Sequence, residues 1–264
     1  MESETLLPLH VLMVSFPGQG HINPLLRLAK RLASKGLYVT FTTRSSTGKM
    51  IQTSTNNTSE TSIKIGEGEL RFEFFNMGKD DKDLDLDSLM NQLETVGRDS
   101  FVQLVERQAE LGRPVSCVIN NPFVPWASDV ATEMGIPCAV LWVQSCAVYS
   151  TYYHYFHNLA SFPTPDQPDS PLNIPGLPTL ESDEVPSFLH PLDPYESLKV
   201  AILGQFKNLS KSFAVLVDSF EELEHEAIQP TLNLSPIRPV GPLFKFHDDD
   251  NEEKTSNIRG DMYK

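Results

Sequence analysis

The residue in this chain best suited by type and setting to move a proton is His21, in the run Pro17-Gly18-Gln19-Gly20-His21-Ile22-Asn23-Pro24. An imidazole with a pKa of about 6.5 can accept a proton from a nucleophile near neutral pH. A histidine at the entry to a helix can equally cap or pack, and the residue types alone leave both readings open. Gly18, Gln19 and Gly20 share the turn with His21 and are substrate-binding candidates for that reason.

Other chemistries are less well supplied. Cys117, Cys138 and Cys146 lack Cys-x-x-Cys spacing and sit in apolar surroundings, so buried free thiols fit better than a disulfide frame or a zinc site. The acid-rich stretches at residues 80–87 and 247–253 could hold a metal through paired carboxylates. Neither has the glycine and terminal glutamate of a calcium loop, so solvated surface is the default and no metal is expected. A formal charge of −14 argues against nucleic acid, whose binding draws on Lys and Arg. No stretch approaches the roughly 18 consecutive apolar residues of a membrane span. The first ten residues carry Glu2 and Glu4 in place of a basic leader segment, so a cytoplasmic protein is expected.

The elements that must position His21 follow from hydrophobic pattern. Residues 10–16 (HVLMVSF) form a continuous apolar run of strand length that leads into Pro17-Gly18-Gln19-Gly20, a turn glycines pass easily. Ile22, Leu25, Leu28, Ala29 and Leu32 recur at three and four, predicting an amphipathic helix over 22–35 that Gly36 stops. Residues 38–43 give a second strand, completing a right-handed β-α-β unit. After a polar loop at 44–62, strands are expected at 70–75, 115–120 and 137–143, and helices at 88–111, 124–134 and 145–159, the last rich in tyrosine. Residues 162–194 are dense in proline. Leu172, Ile174, Leu177, Leu180, Val185 and Phe188 make that segment a packed loop in preference to a linker. A helix at 195–208, a strand at 213–217, an acidic helix at 220–228 and a short strand at 237–240 follow.

This alternation predicts an α/β fold: a Rossmann-like open parallel sheet with helices on both faces, spanning one domain at 1–246, then an acidic linker at 247–264. In such sheets ligands bind beyond the carboxyl ends of the strands, where residues 18–21 fall. A dinucleotide-binding oxidoreductase is the competing reading. Asn23 stands where its third glycine belongs, and the second strand ends in Thr42-Thr43-Arg44 with no acid for a ribose, which disfavours it.

The segments VSFPGQGHINPLLRLAKRLASKG, CVINNPFVPWASDVA, LWVQSCAVYSTYYHY, VDSFEELE and RPVGPLF resemble plant family 1 UDP-glycosyltransferases across nearly the whole chain. The NNPF and LWVQSCA versions resemble the branch that makes glucose esters of hydroxycinnamic and hydroxybenzoic acids, and of limonoid acids. The resemblance implies a GT-B arrangement: two facing Rossmann-like domains, the first holding the acceptor and the second the nucleotide sugar. It also implies that His21, flanked by Gly18 and Pro24 in the family's G-x-x-H-x-x-P context, is the base of an inverting transfer. Most members orient that histidine with an aspartate where this chain has Asn121. A carboxylate stabilises an imidazolium, whereas an amide can only orient the ring, so Asn121 predicts a weaker base. A carboxylic acid of pKa about 4 tolerates this, being ionised already; a phenol near 10 does not. Asn120-Asn121-Pro122 is also good turn chemistry, which is the bland account of Asn121. Gln144 and Ser145 fall loosely in the family's active-site region as contacts to sugar or acceptor. The tyrosine-rich helix could line an aromatic pocket or be core.

The family's donor box, with its HCGWNS segment, does not occur in the sequence, and Ile258-Arg259-Gly260-Asp261 matches the point where members continue into a second domain. The chain is therefore expected to be an acceptor-binding half, inactive by itself. It would take UDP-glucose as co-substrate with no permanently bound cofactor, and transfer glucose to a small aromatic or related acid. The alternative is a chain that binds such an acid without turning it over.

Overall fold

The computed structural model describes residues 9–55, 62–75, 77, 84–192 and 196–244. The expected linker at 247–264 and part of the acid-rich stretch at 80–87 lie outside these residues. In chain order the elements are β1 (His10–Val14), α1 (Gln19–Ser34), β2 (Tyr38–Thr42), α2 (Ser45–Thr55), β3 (Ile63–Ile65), β4 (Gly68–Phe72), α3 (Leu86–Gln92) and α4 (Arg98–Glu110). Then come β5 (Cys117–Asn120), α5 (Trp126–Glu133), β6 (Cys138–Trp142), α6 (Cys146–Phe156), α7 (Glu196–Gly204), β7 (Ala214–Val217), α8 (Glu221–Leu232) and β8 (Ile237–Pro239).

The strands form one sheet in the order β3-β4-β2-β1-β5-β6-β7-β8. Every neighbouring pair is parallel except β3 with β4, so the expected parallel sheet carries one antiparallel edge strand. Without β3 and β8 the order is that of a doubly wound dinucleotide-type sheet, with its switch point between β1 and β5. β1 is buried along its whole length, as an apolar run covered on both faces should be. Val11 and Met13 face the layer of α1, where Ile22, Leu25, Leu28 and Ala29 are buried with Val39, Phe41 and Ile119. Leu12 and Val14 face the opposite layer, against Phe101 and Leu104 of α4 and Trp126 and Val130 of α5. Further along that face, Val140, Trp142, Val215 and Val217 pack with residues of α6, α7 and α8. Each large side chain so buried contributes about 1.5–3 kcal/mol.

Leu172, Ile174, Val185 and Leu189 of the proline-dense segment are buried in that last cluster, so the segment is a packed loop, as its apolar residues predict. The polar loop expected at 44–62 contains a helix instead, α2. Its Ser and Thr residues have weak helix propensity, and tertiary contacts override it. Ser45 donates through both N and Oγ to the Phe75 carbonyl at 3.0 and 2.9 Å, and Ile51 is fully buried. Gly48 lies so close to the Phe74 ring that a Cβ would sit 2.2 Å from it. The single helix expected at 88–111 is α3 and α4 joined through a π-turn at Leu93–Gly97. No described helix is long and apolar enough to cross a membrane.

Candidate active site

β1 connects through α1 to β2 on one side, while β5 pairs with β1 on the other. The segments that leave β1 and β5 therefore separate at the switch point and open a crevice between them. His21 follows β1 and Asn121 follows β5.

α1 starts three residues earlier than its apolar period predicts, with Gly18 as its N-cap. The Gly18 carbonyl accepts from the amides of His21 and Ile22 at 3.0 and 2.9 Å, so His21 lies in the first helical turn and not on a loop before it. Pro24 is accommodated inside the helix; its missing N–H leaves the Gly20 carbonyl without its usual i+4 donor. The expectation that this turn needs glycine's backbone freedom is corrected. Gly18 has an extended conformation (φ −101°, ψ 142°), and neither it nor Gly20 is among the residues with positive φ. Gly18 supplies room: a Cβ there would lie 3.0 Å from His21 Cδ2 and 3.4 Å from Phe16 Cδ1. Gly20 is exposed and faces open space. Gln19 between them is half-buried.

Two aromatic rings hold the imidazole edge-on, Phe16 at 5.1 Å and Phe123 at 4.8 Å between ring centroids. Burial among them pushes the His21 pKa down to about 4, outweighing an opposite, smaller influence of the Asn121 side chain. The positive end of the α1 dipole acts in the same direction as burial. His21 is thus neutral at pH 7.

Asn121 is fully buried. Its amide N–H donates to the Val14 carbonyl at 2.9 Å, which extends the β1–β5 pairing by one residue, and its Oδ1 accepts from the Phe123 amide at 3.1 Å. Asn120 closes the same turn: its Nδ2 donates to the carbonyls of Asn121 and Val124, and its Oδ1 accepts from Ser128 Oγ at 3.2 Å. The turn reading of Asn-Asn-Pro therefore holds for both residues, and Asn121 also lies beside His21. His21 Nδ1 and Asn121 Nδ2 are both buried without a hydrogen-bond partner.

Gln144 and Ser145 follow β6, the strand next to β5, and so lie at the same edge of the sheet. Both are exposed. The Ser145 hydroxyl is the N-cap of α6, accepting from the Val148 amide at 3.2 Å, and the Cys146 amide donates to Glu224 Oε1 at 2.7 Å. Of the open readings of the tyrosine-rich helix, core applies to Tyr149 and Tyr152, which are 0% and 3% exposed around Trp142. The residues that pattern reading misses are Phe16, Phe123 and Asn120. Aromatics two positions before Gly18 and two after Asn121 are the signal that was there to use. Among the described residues no group of three or more His, Cys, Asp or Glu side chains is arranged to hold a metal ion.

Comparison with known proteins identifies the family of the chain. Residues 8–212 match the family model for the N-terminal domain of glycosyltransferases. The chain is 52% identical to gallate 1-beta-glucosyltransferase 84A23 of Punica granatum, covering 100% of this chain and 52% of that protein. It is 50% identical to the limonoid UDP-glucosyltransferase of Citrus unshiu (100% and 51% covered) and to the cinnamate beta-D-glucosyltransferase of Fragaria ananassa (99% and 46%). The chain thus spans about half the length of these curated relatives. Among solved structures, Os79 from O. sativa in complex with U2F and trichothecene superposes with a TM-score of 0.72 at 26% identity, over 89% of this chain and 52% of that one. The chain belongs to the glycosyltransferase family and carries its N-terminal, Rossmann-like domain.

Proposed function

We propose that this chain is the acceptor-binding half of an inverting, UDP-glucose-dependent glucosyltransferase that esterifies small aromatic or related carboxylic acids. The observation that carries this is the setting of His21. Among the described residues, burial and the neutral amide of Asn121 are the influences on its pKa, and no carboxylate acts on it. A base with a pKa of about 4 faces a gap of roughly six units, about 8 kcal/mol, against a phenol of pKa about 10. A carboxylic acid reaches the crevice already ionised. One carboxylate oxygen then attacks the anomeric carbon from the face opposite UDP, the bond to the UDP phosphate breaks with its electrons leaving on UDP, and the configuration inverts. Gly18, Gln19, Gly20, Gln144 and Ser145 would line the acceptor and sugar side of that crevice. UDP-glucose is a co-substrate in this scheme, and its nucleotide contacts fall in the half of the relatives' length that this chain does not span. Relatives named for gallate and cinnamate support the choice of acid.

The test is mass-spectrometric detection of glucose esters when UDP-glucose meets a panel of hydroxycinnamic, hydroxybenzoic and limonoid acids with matched phenols. The chain is assayed by itself and joined to the C-terminal half of a relative. Esters from the joined protein, with little phenolic glucoside, are expected. Glucosides on phenols at comparable rates would overturn the acid assignment. Acid binding without product from either form would favour a non-catalytic binder.

A further inference from the structure

We propose that Asp218 is a positioning residue for the transfer: it pins the segment by which the chain leaves this domain, and so holds the sugar-binding half in register with His21. This rests on the reading above that the nucleotide sugar is held by the half of the relatives' length that this chain does not span.

The family model matched is that of an N-terminal domain, and the chain covers 52% of a relative such as the Punica granatum enzyme, so the other half follows this one in sequence. The connection to it starts from the segment after β8, and residues 240–243 of that segment are closely held. The Val240 amide donates to the Val217 carbonyl at 3.0 Å, continuing the β7–β8 pairing by one residue. The Gly241 amide donates to the Ser219 carbonyl at 3.0 Å. Pro242 has no N–H to give. The Leu243 amide donates to Asp218 Oδ1 at 2.7 Å, and the Leu243 side chain is buried in the layer of α1. Phe244, the next residue, is exposed.

Two further contacts tie this segment to the site. A Cβ on Gly241 would lie 2.7 Å from the Ser219 nitrogen and 2.8 Å from Asp218 Oδ1, so only glycine lets the segment lie this close to the loop after β7. Arg31 Nη1 donates to the Val240 carbonyl at 3.2 Å, and Arg31 belongs to α1, whose first turn carries His21. Asp218 is itself fixed to the next strand, its amide donating to the Trp142 carbonyl at 3.3 Å. The segment therefore takes its direction from the His21 helix and from the sheet edge together.

Domains within one chain move relative to each other unless something restrains them. Slack at the joint is multiplied across the width of a domain, whereas transfer needs the anomeric carbon in line with the acid's oxygen. A misplacement of about 1 Å can cost on the order of 10²-fold in rate. Asp218 removes slack at the last buried residue before Phe244, and it does so without touching acid or sugar.

The experiment begins with amide exchange on the full chain. The Leu243 N–H should be protected in wild type and in Asp218→Asn, whose side-chain oxygen still accepts, and unprotected in Asp218→Ala. In the protein joined to the C-terminal half of a relative, Asp218→Ala and Gly241→Ala should lower kcat for ester formation by roughly tenfold to a hundredfold. KM and the dissociation constant for the acid should stay within about twofold of wild type, and Asp218→Asn should keep kcat within about threefold. X-ray scattering of the joined protein with UDP should give a larger radius of gyration for the two alanine variants than for wild type. All assays are run where unfolding curves show every variant folded. An unchanged kcat and radius in Asp218→Ala would overturn the proposal. So would a fall in acid affinity that matches the fall in kcat, which would put Asp218 in the acceptor site, or a failure of Asp218→Asn to rescue, which would make charge the cause in place of the bond. Exchange and scattering are read without turnover, so absence of any ester would sink the proposed function and leave this result standing or falling separately.

Discussion

β1 has a histidine at its start and another shortly after its end, and the two differ in hydrogen bonding more than in burial. His10 is 1% exposed, with Nδ1 donating to the Arg113 carbonyl at 2.8 Å and Nε2 accepting from Thr40 Oγ1 at 2.9 Å. Tyr38 stands edge-on to it at 4.7 Å. Close by, Glu73 is buried beneath Arg71, Arg107 and Arg113 and also accepts from Gln108. At the other end His21 has aromatic walls, a neutral amide and a ring nitrogen with no partner. Burial is the largest influence on both pKa values, and it lowers both. A depressed pKa therefore does not separate a structural histidine from a functional one. Hydrogen-bond accounting does: both nitrogens of one ring are committed to the fold, while the other ring stands at the switch point with capacity left over.

The comparison breaks if the two ends respond alike to truncation. In a protein joined to a donor half, His21→Ala should reduce ester formation by about 10²–10³-fold, the range for one well-placed hydrogen-bonding side chain beside developing or transferred charge. Its unfolding midpoint should move less than that of His10→Ala. Equal loss of activity from both variants, measured as kcat/KM beside thermal unfolding, would remove the distinction. In the network near His10 the larger effect belongs to Glu73→Ala, which leaves three arginines without their shared buried anion. A loss of about 3–5 kcal/mol by denaturant unfolding is expected, the usual result of breaking a buried pair. A loss below about 1 kcal/mol would mean that solvent screens the network as it does a surface pair.

The sequence carries this fold wherever one element's own periodicity decides it. The apolar run of β1 and the three-and-four spacing of α1 place His21 at the carboxyl edge without any knowledge of partners. Residues shaped by distant neighbours are hidden for the same reason. α2 forms because Ser45 and Gly48 meet Phe75 and Phe74, which lie about thirty residues away in the chain, and the antiparallel β3 depends on pairing with β4. At the site, His21 is legible from its turn, and Asn121 from family resemblance and turn chemistry. The aromatic walls close on His21 only when β5 pairs with β1, whereas the Asn121 amide is oriented locally by the Phe123 N–H two residues on. Ser145 also has a local role that its position did not reveal, because its hydroxyl caps α6.

His10→Ala sharpens the contrast from the structural side. It leaves Thr40 Oγ1 and the Arg113 carbonyl unpaired and opens space beside Tyr38, so about 2–4 kcal/mol of stability should be lost. Transfer activity per folded molecule should stay within about threefold of wild type, since the ring lies at the far end of β1 from the crevice and changes this remote are usually independent. Activity that fell in step with the His21 variant, assayed where both proteins are fully folded, would contradict that separation.

Acid stability gives the smallest effect and applies to both rings. The folded pKa of His21, about 4, lies below the unfolded value of about 6.5, so the unfolded chain takes up a proton first as pH falls. Stability from this neutral ring is complete above pH 6.5, declines between 6.5 and 4, and declines no further below 4. His10 is shifted in the same direction and adds to the slope over the upper part of that window. For the half-buried His21, with solvent allowed for, the share lost between pH 7 and pH 5 is about 1–2 kcal/mol. Urea unfolding of wild type and His21→Gln at those two pH values isolates it, because Gln cannot titrate. The variant should lose less stability on acidification than wild type, by that amount. An identical drop in both proteins would mean that His21 titrates alike folded and unfolded, and that its ring is far wetter than its place between Phe16 and Phe123 implies.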